Sequence, residues 1–252
     1  MAKTVFITGA TSGFGEACAE LFAKNNYRVI ITGRRQERLD SLCNKLKAKG
    51  IDVLPLCFDV RGKLAVSNAF KSLPENWQII DVLINNAGLA SGMGHIQDGD
   101  IEDWDKMIDT NVKGLLYVSK AALPFIKNST SGHIINIGST AGKEVYENGN
   151  VYCASKHAVD AISQAMRIDL LKEGIKVTQI CPGMAETEFS EVRFHGDKEK
   201  AKQVYKGFDV MSAKDVAEII YYTTTLPAHL CINDLTLTST AQANSFYTNR
   251  DL

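Results

Sequence analysis

Residues 3–15 read KTVFITGATSGFG, a short β-branched and aromatic run that ends in a glycine-rich turn. The residues that follow, EACAELFAKNN, place Ala17, Leu21 and Phe22 at helical spacing. A strand, a glycine turn and a helix in this order are typical of a dinucleotide-binding unit, because the glycines let the backbone approach the pyrophosphate and the helix N-terminus offers free N–H groups. The spacing is G-x-x-x-G-x-G, and an ordinary glycine-rich turn is the alternative.

The rest of the chain repeats this alternation of strand and helix. Runs of β-branched and apolar residues predict six further strands, over 27–33, 52–60, 79–88, 132–139, 175–181 and 230–238. Val82, Leu83 and Ile84 are continuously apolar, as expected for a parallel strand that is buried on both faces. The pattern predicts an α/β fold in which a single domain, residues 1–252, forms a doubly wound parallel sheet (Rossmann fold) of about seven strands flanked by helices on both faces.

Composition argues against several classes of protein. The 252 residues are 45% hydrophobic and 23% charged, which is ordinary for a soluble globular protein. A formal net charge of −1 provides no basic excess for a nucleic-acid partner, and no apolar run is long enough to span a membrane. The first residues do not have the pattern of a signal peptide. The six cysteines and five histidines are dispersed without metal-ligand spacing, so we expect free thiols in a reducing compartment and no metal site.

Charged residues follow two of the predicted strands at the carboxyl edge, where open α/β sheets bind ligands. Arg34 and Arg35 follow the second strand, and the absence of an acid there favours NADP over NAD because a guanidinium fits the 2′-phosphate. The alternative is that both arginines cap the next helix or lie in solvent. Asp59 ends the third strand, and its carboxylate either accepts from the adenine amino group or caps the following helix.

Residues 139–156, STAGKEVYENGNVYCASK, follow the fifth strand and carry a candidate proton-transfer site. Tyr152 and Lys156 are four apart, so on a helix they lie one turn apart on the same face. A phenol has a pKa near ~10, and a nearby ammonium lowers that pKa because it favours the phenolate. The Ser139 hydroxyl can hold an alcohol or carbonyl oxygen while the proton moves. Asn111, inside a helical run over 104–126, indicates either a bend or a catalytic group.

Taken together, the motifs resemble the short-chain dehydrogenase/reductase family over essentially the whole chain. The matches are TGATSGFG at 8–15, Asp59-Val60, NNAG at 85–88, Asn111, Ser139, Tyr-x-x-x-Lys at 152–156 and Pro-Gly-x-x-x-Thr at 182–187. Each motif alone is weak or moderate, and their order and spacing carry the resemblance. The resemblance implies an enzyme rather than a cofactor-sensing binding protein, because such binding proteins usually lose the tyrosine or the lysine and this chain keeps both.

The resemblance implies roles for individual residues. Tyr152 would be the general acid–base, Ser139 would position and polarise the substrate oxygen, and Lys156 would lower the tyrosine pKa and bind the nicotinamide ribose. Asn111 would hold a water in a proton relay to Lys156, and Thr187 would contact the nicotinamide carboxamide or the pyrophosphate. The expected cofactor-binding residues are Gly9, Thr11, Ser12, Gly13, Phe14, Gly15, Arg34, Arg35, Asp59, Val60, Asn86, Ala87, Gly88, Tyr152, Lys156, Pro182, Gly183 and Thr187.

Longer stretches, among them TGRRQERL, NNAGLASGMG and TEFSEVRFHGD, resemble the subgroup of NADP-dependent 3-hydroxy acid dehydrogenases, which includes serine and L-allo-threonine 3-dehydrogenases. This closer resemblance implies NADP (NADPH) as the cofactor and a small 3-hydroxy acid as the substrate. It also implies a cytoplasmic homotetramer with no nucleic-acid or membrane partner. A short-chain carbonyl reductase that acts on an uncharged or hydrophobic ketone is the alternative.

A 3-hydroxy acid substrate needs a cation opposite its carboxylate. Arg193 lies in a segment of roughly 186–210 whose polar, helical pattern suits a mobile lid over the site. We expect Arg193 to bind the carboxylate, and the alternative is a structural ion pair with Glu186, Glu188 or Glu191. Lys143, in the loop after the fifth strand, is a second candidate cation.

Overall fold

The computed structural model describes residues 2–251. The strands of its main sheet are β1 (Thr4–Ile7), β2 (Arg28–Gly33), β3 (Val53–Cys57), β4 (Val82–Asn85), β5 (His133–Ile137), β6 (Lys176–Pro182) and β9 (Asp234–Leu237). These seven strands are parallel and ordered β3-β2-β1-β4-β5-β6-β9. A separate parallel pair joins β7 (Ala185–Glu186) to β8 (Met211–Ser212).

Helices connect the strands. They are α1 (Gly13–Lys24), α2 (Gln36–Lys47), α3 (Lys63–Lys71), α4 (Ile101–Ile108), α5 (Leu115–Ile126), α6 (Asn150–Asp169), α7 (Phe189–Arg193), α8 (Lys198–Val204) and α9 (Ala213–Thr224). None of the helices among residues 2–251 combines the length and the apolar character that crossing a membrane requires.

Both faces of the sheet are buried, which explains why its strands are apolar without alternation. In β1, Val5 and Ile7 pack into one hydrophobic cluster with α1, α2 and α9, whereas Phe6 packs into a second cluster with α3 and α5. On the first face the ring of Phe22 meets the ring of Tyr221 edge-on, with centroids 5.2 Å apart. The predicted doubly wound α/β sheet of seven strands is confirmed.

Several strands are shorter than predicted. β3 ends at Cys57 rather than at residue 60, because the chain turns at residues 60–61, after a last bond from the Phe58 N–H to the carbonyl of Gly33. β4 likewise covers 82–85 of the predicted 79–88. β9 begins at Asp234 instead of residue 230, since it is an edge strand and only the residues opposite 179–182 of β6 can pair. The pair formed by β7 and β8 has no counterpart in the sequence prediction, because strands of two residues leave no periodic pattern.

The order of the strands reverses beside β1, because β2 and β3 lie on one side of it and β4 and β5 on the other. In an open α/β sheet this reversal opens a crevice at the carboxyl edge, where ligands bind. The turns that follow β1, β4, β5 and β6 therefore converge on one region.

Candidate active site

A cavity of about 490 Å³ opens at the carboxyl edge of the sheet. Of the residues that the sequence assigns to cofactor, substrate and catalysis, Gly15 and Asn111 do not line it. Those that do are Gly9, Thr11, Ser12, Gly13, Phe14, Arg34, Arg35, Asp59, Val60, Asn86, Ala87, Gly88, Ser139, Tyr152, Lys156, Pro182, Gly183, Thr187 and Arg193. The fold thus brings together motifs that are as much as 180 residues apart in the sequence.

The glycine turn after β1 brings backbone to the wall of the cavity. Gly9 has φ 64°, in the left-handed region that favours glycine. Gly15 packs α1 against this turn, because a Cβ at that position would lie 2.3 Å from the carbonyl oxygen of Gly9. Ser12 precedes α1 without a side-chain capping bond, so N–H groups of the first turn of α1 remain available. The turn has the features of an anion cradle.

The turn after β4 holds the glycine turn in place through hydrogen bonds. The Asn86 side-chain amide donates to the carbonyls of Thr8 (2.9 Å) and Gly9 (3.1 Å), and the Asn86 backbone N–H donates to Thr8 Oγ1 (2.9 Å). Asn85 is buried instead and donates to Ser119 Oγ (2.8 Å). Asn86 therefore shapes the cradle, whereas Asn85 belongs to the polar network behind the sheet.

The two arginines after β2 have different surroundings. The side chain of Arg34 is 55% exposed and its Nη1 lies 3.6 Å from Asp59 Oδ2, so the guanidinium can still receive an anion. Arg35 donates to Thr11 Oγ1 from Nε (3.2 Å) and Nη2 (2.9 Å), and to Glu188 Oε2 from Nη1 (2.9 Å). Arg35 occupies the N-cap position of α2, as the capping alternative expects, but its side chain makes no capping hydrogen bond.

Asp59 is fixed by arginines. Its Oδ1 accepts from the Arg61 backbone N–H (2.9 Å) and its Oδ2 accepts from the Arg61 guanidinium (2.9 and 2.7 Å). Burial raises the pKa of Asp59, but Arg61 and Arg34 outweigh burial and hold the pKa below its usual value. α3 begins after Gly62 without a side-chain cap, so the alternative in which Asp59 caps this helix is wrong. The adenine contact stays a prediction.

Ser139, Tyr152 and Lys156 meet in the cavity. α6 carries Tyr152 and Lys156 on its buried face. Ser139 follows β5 and its Oγ accepts from the Ala141 N–H at 3.1 Å. The Lys156 Nζ lies 5.9 Å from the centroid of the Tyr152 ring and donates to the carbonyl of Ile137 at 2.8 Å. A phenol, an ammonium and a hydroxyl are therefore collected around one buried space.

Burial works against both charged forms of this pair. It raises the pKa of the Tyr152 phenol well above its ordinary value, and the neighbouring Tyr146 adds to this effect. The charge of Arg193 and the hydroxyl of Ser139 act in the opposite direction. Burial also lowers the pKa of Lys156 to about 8. Ionisation of Tyr152 therefore depends on the groups that oppose burial, among them the charge of Arg193.

Asn111 lies in a π-helical turn, Asp109–Gly114, that interrupts the helix predicted over 104–126. Such turns often occur at functional sites. The Asn111 amide donates to the Leu89 carbonyl (2.8 Å) and to Ser155 Oγ (3.0 Å), and its oxygen accepts from the Leu89 N–H (2.8 Å). The side chain thus ties the segment after β4 to α6, and the predicted water relay stays a prediction.

Arg193 lies against the catalytic tyrosine candidate. Its Cζ is 4.9 Å from the centroid of the Tyr152 ring, and its Nη2 donates to Tyr146 Oη at 2.7 Å. The expected alternative, an ion pair with a nearby glutamate, is wrong: within residues 2–251 Arg193 has no carboxylate partner, and Glu188 pairs with Arg35 and Arg38 instead. The Arg193 guanidinium therefore places an uncompensated positive charge in the cavity.

Lys143 is a weaker candidate in the structure than in the sequence. Its Nζ lies 2.7 Å from both Asp160 Oδ1 and Asp234 Oδ2, and its side chain is not part of the cavity wall. Two carboxylates already neutralise it. The suggestion that Lys143 meets a substrate anion is wrong.

Sequence reasoning missed two residues that shape the cavity. Tyr146 contacts Arg193, but a tyrosine in a loop has no period that would single it out. Gln242, beyond the last strand, accepts from the Met184 N–H (2.8 Å) and so holds the turn after β6 in place. A Cβ on Gly183 would lie 2.3 Å from Gln242 Oε1, so the two residues fit each other closely. No local pattern links them, because 59 residues separate them.

Comparison with known proteins agrees with this geometry. The family model described as short chain dehydrogenase matches residues 3–198. The NADP-dependent 3-hydroxy acid dehydrogenase YdfG of Salmonella typhi is 46% identical over 240 residues, which cover 95% of this chain and 96% of that protein. Sulfoacetaldehyde reductase 2 of Chromohalobacter salexigens is 44% identical over 253 residues and the full length of both chains.

A solved structure described as the closed form of serine dehydrogenase complexed with NADP+ superposes with a TM-score of 0.92 at 45% identity. The match covers 96% of this chain and 97% of that one. The fold, the motif order and the extent of these matches agree with the resemblance inferred from the sequence, which is confirmed. The chain belongs to the short-chain dehydrogenase family.

Proposed function

We propose that this enzyme is an NADP-dependent oxidoreductase that interconverts the β-hydroxyl of small 3-hydroxy acids, of the L-serine, L-allo-threonine and 3-hydroxypropionate type, and the corresponding 3-oxo acid or semialdehyde. The observation that carries the proposal is the Arg193 guanidinium, which lies 4.9 Å from the ring of Tyr152 without a carboxylate partner in residues 2–251. A cation at that distance from the general acid–base can bind the acid group of a short substrate. The names of the relatives, 3-hydroxy acid dehydrogenase and serine dehydrogenase, support the same class.

NADP is the cofactor, and the residues present fit it. The cradle between Gly9 and Gly15 admits no Cβ at Gly15, and the N-terminus of α1 suits a pyrophosphate. The half-exposed fork of Arg34 suits the 2′-phosphate. When bound, the cofactor supplies the acceptor or donor of hydride. We assign its contacts to the cavity-lining residues that the sequence analysis expects, with Gly15 acting through the packing of the turn.

Tyr152 moves the proton. In the direction of oxidation its phenolate accepts the proton of the substrate hydroxyl, and in reduction the phenol returns it to the developing alkoxide. The Ser139 hydroxyl donates to the substrate oxygen and orients it towards the phenol. Lys156, buried with a pKa lowered to about 8, contributes positive charge that favours the phenolate when it is protonated.

A sulfonate is a second acid group that the substrate of this enzyme could carry. Sulfoacetaldehyde reductase 2 matches this chain over its full length, and a guanidinium can also bind a sulfonate, because a sulfonate presents anionic oxygens. The alternative from the sequence, an uncharged or hydrophobic ketone, has no group that would meet the charge of Arg193. The acid group therefore decides between the two substrate classes.

The test compares substrates with and without an acid group. NADP-linked oxidation of L-serine, L-allo-threonine and 3-hydroxypropionate, and NADPH-linked reduction of sulfoacetaldehyde, are measured beside simple secondary alcohols. Arg193→Met should raise the KM of the acids at least tenfold, because a charge-assisted contact is worth about 1.5–3 kcal/mol. Lys143→Met is the matched control, because it removes a cation that two carboxylates already neutralise, and it should leave the KM of the acids unchanged.

Two results would contradict the proposal. Equal kcat/KM for acids and uncharged alcohols in the wild type would refute the proposed substrate class, although the assignment of the fold would be unaffected. Tyr152→Phe should abolish turnover while the binding of NADP persists, and loss of NADP binding would mean that the proton-transfer site is misassigned. The homotetramer, the cytoplasmic location and the mobility of the lid over 186–210 stay predictions from the family resemblance.

A further inference from the structure

We propose that Tyr146 is a substrate-binding residue whose hydroxyl, together with the guanidinium of Arg193, forms a two-donor clamp for the acid group of the substrate. The proposal rests on the proposed function, because it extends the carboxylate site from one residue to two. It assigns specificity to a loop residue outside the motifs that carry the family resemblance.

The hydrogen-bond arrangement leaves the Tyr146 proton unused. Arg193 Nη2 donates to Tyr146 Oη at 2.7 Å, so the phenol oxygen is the acceptor of that bond. The hydroxyl proton of Tyr146 has no acceptor among residues 2–251, and both side chains line the cavity. A hydroxyl that accepts from a cation becomes a stronger donor through its own proton. The next acceptor in this space would be an oxygen of the bound substrate.

The phenol keeps its proton. Burial raises the pKa of Tyr146, and this effect outweighs the opposing charge of Arg193. Tyr146 is therefore a neutral O–H donor beside a cation. An anionic acid group can accept from both, whereas the hydrocarbon end of an uncharged alcohol can accept from neither.

The position of Tyr146 is built into the chain rather than left to a flexible loop. Its ring lies over Gly149, where a Cβ would meet ring carbon Cε2 at 2.3 Å, so only glycine fits. The Gly149 N–H donates to the Tyr146 carbonyl at 3.1 Å, which closes the turn. α6 begins directly after Gly149 and carries Tyr152. The turn therefore fixes Tyr146 at a set distance from the general acid–base.

The partner of Tyr146 is held from its other side. The carbonyl of Arg193 accepts from the Gly92 N–H at 2.9 Å, which ties the end of α7 to the segment after β4. The ring of Phe189, one turn earlier on α7, lies 5.2 Å from the Arg193 Cζ and packs edge-on against Tyr152 at 5.6 Å. Guanidinium and hydroxyl thus face the cavity side by side, and their distance from Tyr152 would select the distance between the acid group and the reacting carbon of the substrate.

A structural role for Tyr146 is the competing explanation, since losing its bond to Arg193 could simply loosen α7. The two roles differ in what they do to substrates without an acid group. Loss of a donor to the acid group weakens only anionic ligands. A loosened α7 would disturb Phe189 and Tyr152, and so would affect every substrate.

The experiment uses Tyr146→Phe, which removes the hydroxyl and keeps the ring that packs on Gly149. The matched control is Tyr117→Phe, which removes a phenol hydroxyl from α5 outside the cavity. For each protein the KM and kcat of L-allo-threonine are measured, together with kcat/KM of an uncharged secondary alcohol. The inhibition constant of propionate, a carboxylate without a β-hydroxyl, is measured against that alcohol.

We expect Tyr146→Phe to raise both the KM of L-allo-threonine and the inhibition constant of propionate about tenfold, as for loss of a hydrogen bond to a charged group. Because Tyr146 also affects the pKa of Tyr152, the alcohol is measured on the high-pH plateau of its profile. There its kcat/KM should change less than twofold, and Tyr117→Phe should match the wild type. Equal losses for acid and alcohol would show a structural role, and unchanged acid binding would show no contact. Either result would overturn the clamp.

The same measurements separate this inference from the proposed function. If the wild type prefers acids and Tyr146→Phe leaves the KM of the acid and the inhibition constant of propionate unchanged, the proposed substrate class is supported and the clamp is refuted. The wild type could instead oxidise acids and alcohols equally well, while propionate still inhibits it and binds Tyr146→Phe more weakly. That result would support the clamp and refute the proposed substrate class. If propionate does not bind the wild type, the clamp falls whatever the substrate.

Discussion

Removing the charge of Arg193 should shift the pH dependence of catalysis even for substrates that the guanidinium does not bind. Arg193 lowers the pKa of Tyr152, so Arg193→Met should raise that pKa. Oxidation of an alcohol needs the phenolate, and the rising limb of log kcat/KM should therefore move to higher pH. If the 4.9 Å between Cζ and ring centroid is taken as the separation of the two charges, the Coulomb energy is about 0.8 kcal/mol in water and about 3.4 kcal/mol at an effective dielectric constant of 20.

These energies correspond to shifts of about 0.6 and about 2.5 pH units, and the half-buried position of Arg193 favours a value between them. The assay is the pH profile of NADP-linked oxidation of an uncharged secondary alcohol, because kcat/KM reports the free enzyme and no acid group is bound. Arg193→Lys keeps the charge and should keep the limb near its wild-type position. A limb that is unmoved in Arg193→Met would refute the reasoning and leave Lys156 as the cation that controls Tyr152.

Three further changes test the cofactor site and the core. Arg34→Ala should lower the affinity for NADP roughly 10- to 100-fold and the affinity for NAD little, because it removes charged hydrogen bonds to the 2′-phosphate. Binding titrations with both cofactors check this, and an equal loss of affinity for NADP and NAD would exclude that contact. Gly15→Ala should abolish measurable NADP binding, because its Cβ would lie 2.3 Å from the carbonyl of Gly9, whereas Gly94→Ala, whose Cβ meets nothing within 4 Å, should bind normally. Burial lowers the pKa of His133 to about 3 from an ordinary 6.5, so the unfolded chain binds a proton between these values and stability falls as the pH falls through that window. Urea unfolding of wild type and His133→Gln at pH 7 and pH 4.5 should show the wild type losing about 2.5 kcal/mol more than the variant, and parallel losses would mean that His133 is protonated in the folded protein.

Short-range sequence signals predict much of the fold and of the cofactor end of the site. Each predicted strand of the main sheet exists, and the glycine turn, the asparagine turn and the two arginines come directly after strand ends. The topology follows because parallel strands joined by helices put all of these turns at one edge. Patterns of this kind carry information because the chemistry and the element that positions it lie within a few residues of each other.

The acid-binding end of the site could be predicted only in part, because it depends on contacts between distant segments. Arg193 could be chosen by its charge and place in the chain, but its bond to Tyr146 joins residues 47 apart. The pairing of Glu188 with Arg35 and Arg38, across about 150 residues, likewise has no local pattern. It removes Glu188, one of the three glutamates that the sequence offers as alternative partners for Arg193. Which carboxylate pairs with which arginine depends on how the segment 186–210 packs, so the sequence alone does not predict these ion pairs.

Under the proposed function, Arg193 has two tasks that partly oppose each other. As a neighbour of Tyr152 its charge favours the phenolate, and as the proposed anchor it would bind an anion that would cancel much of that charge. A 3-hydroxy acid therefore weakens, on binding, one of the forces that ionise the base which must deprotonate it. Lys156 is buried and lies on the same helix face as Tyr152, with its Nζ 5.9 Å from the centroid of the Tyr152 ring. We therefore expect the two cations not to be redundant: Lys156 would sustain the phenolate in the substrate complex, where Arg193 would be occupied by the acid group.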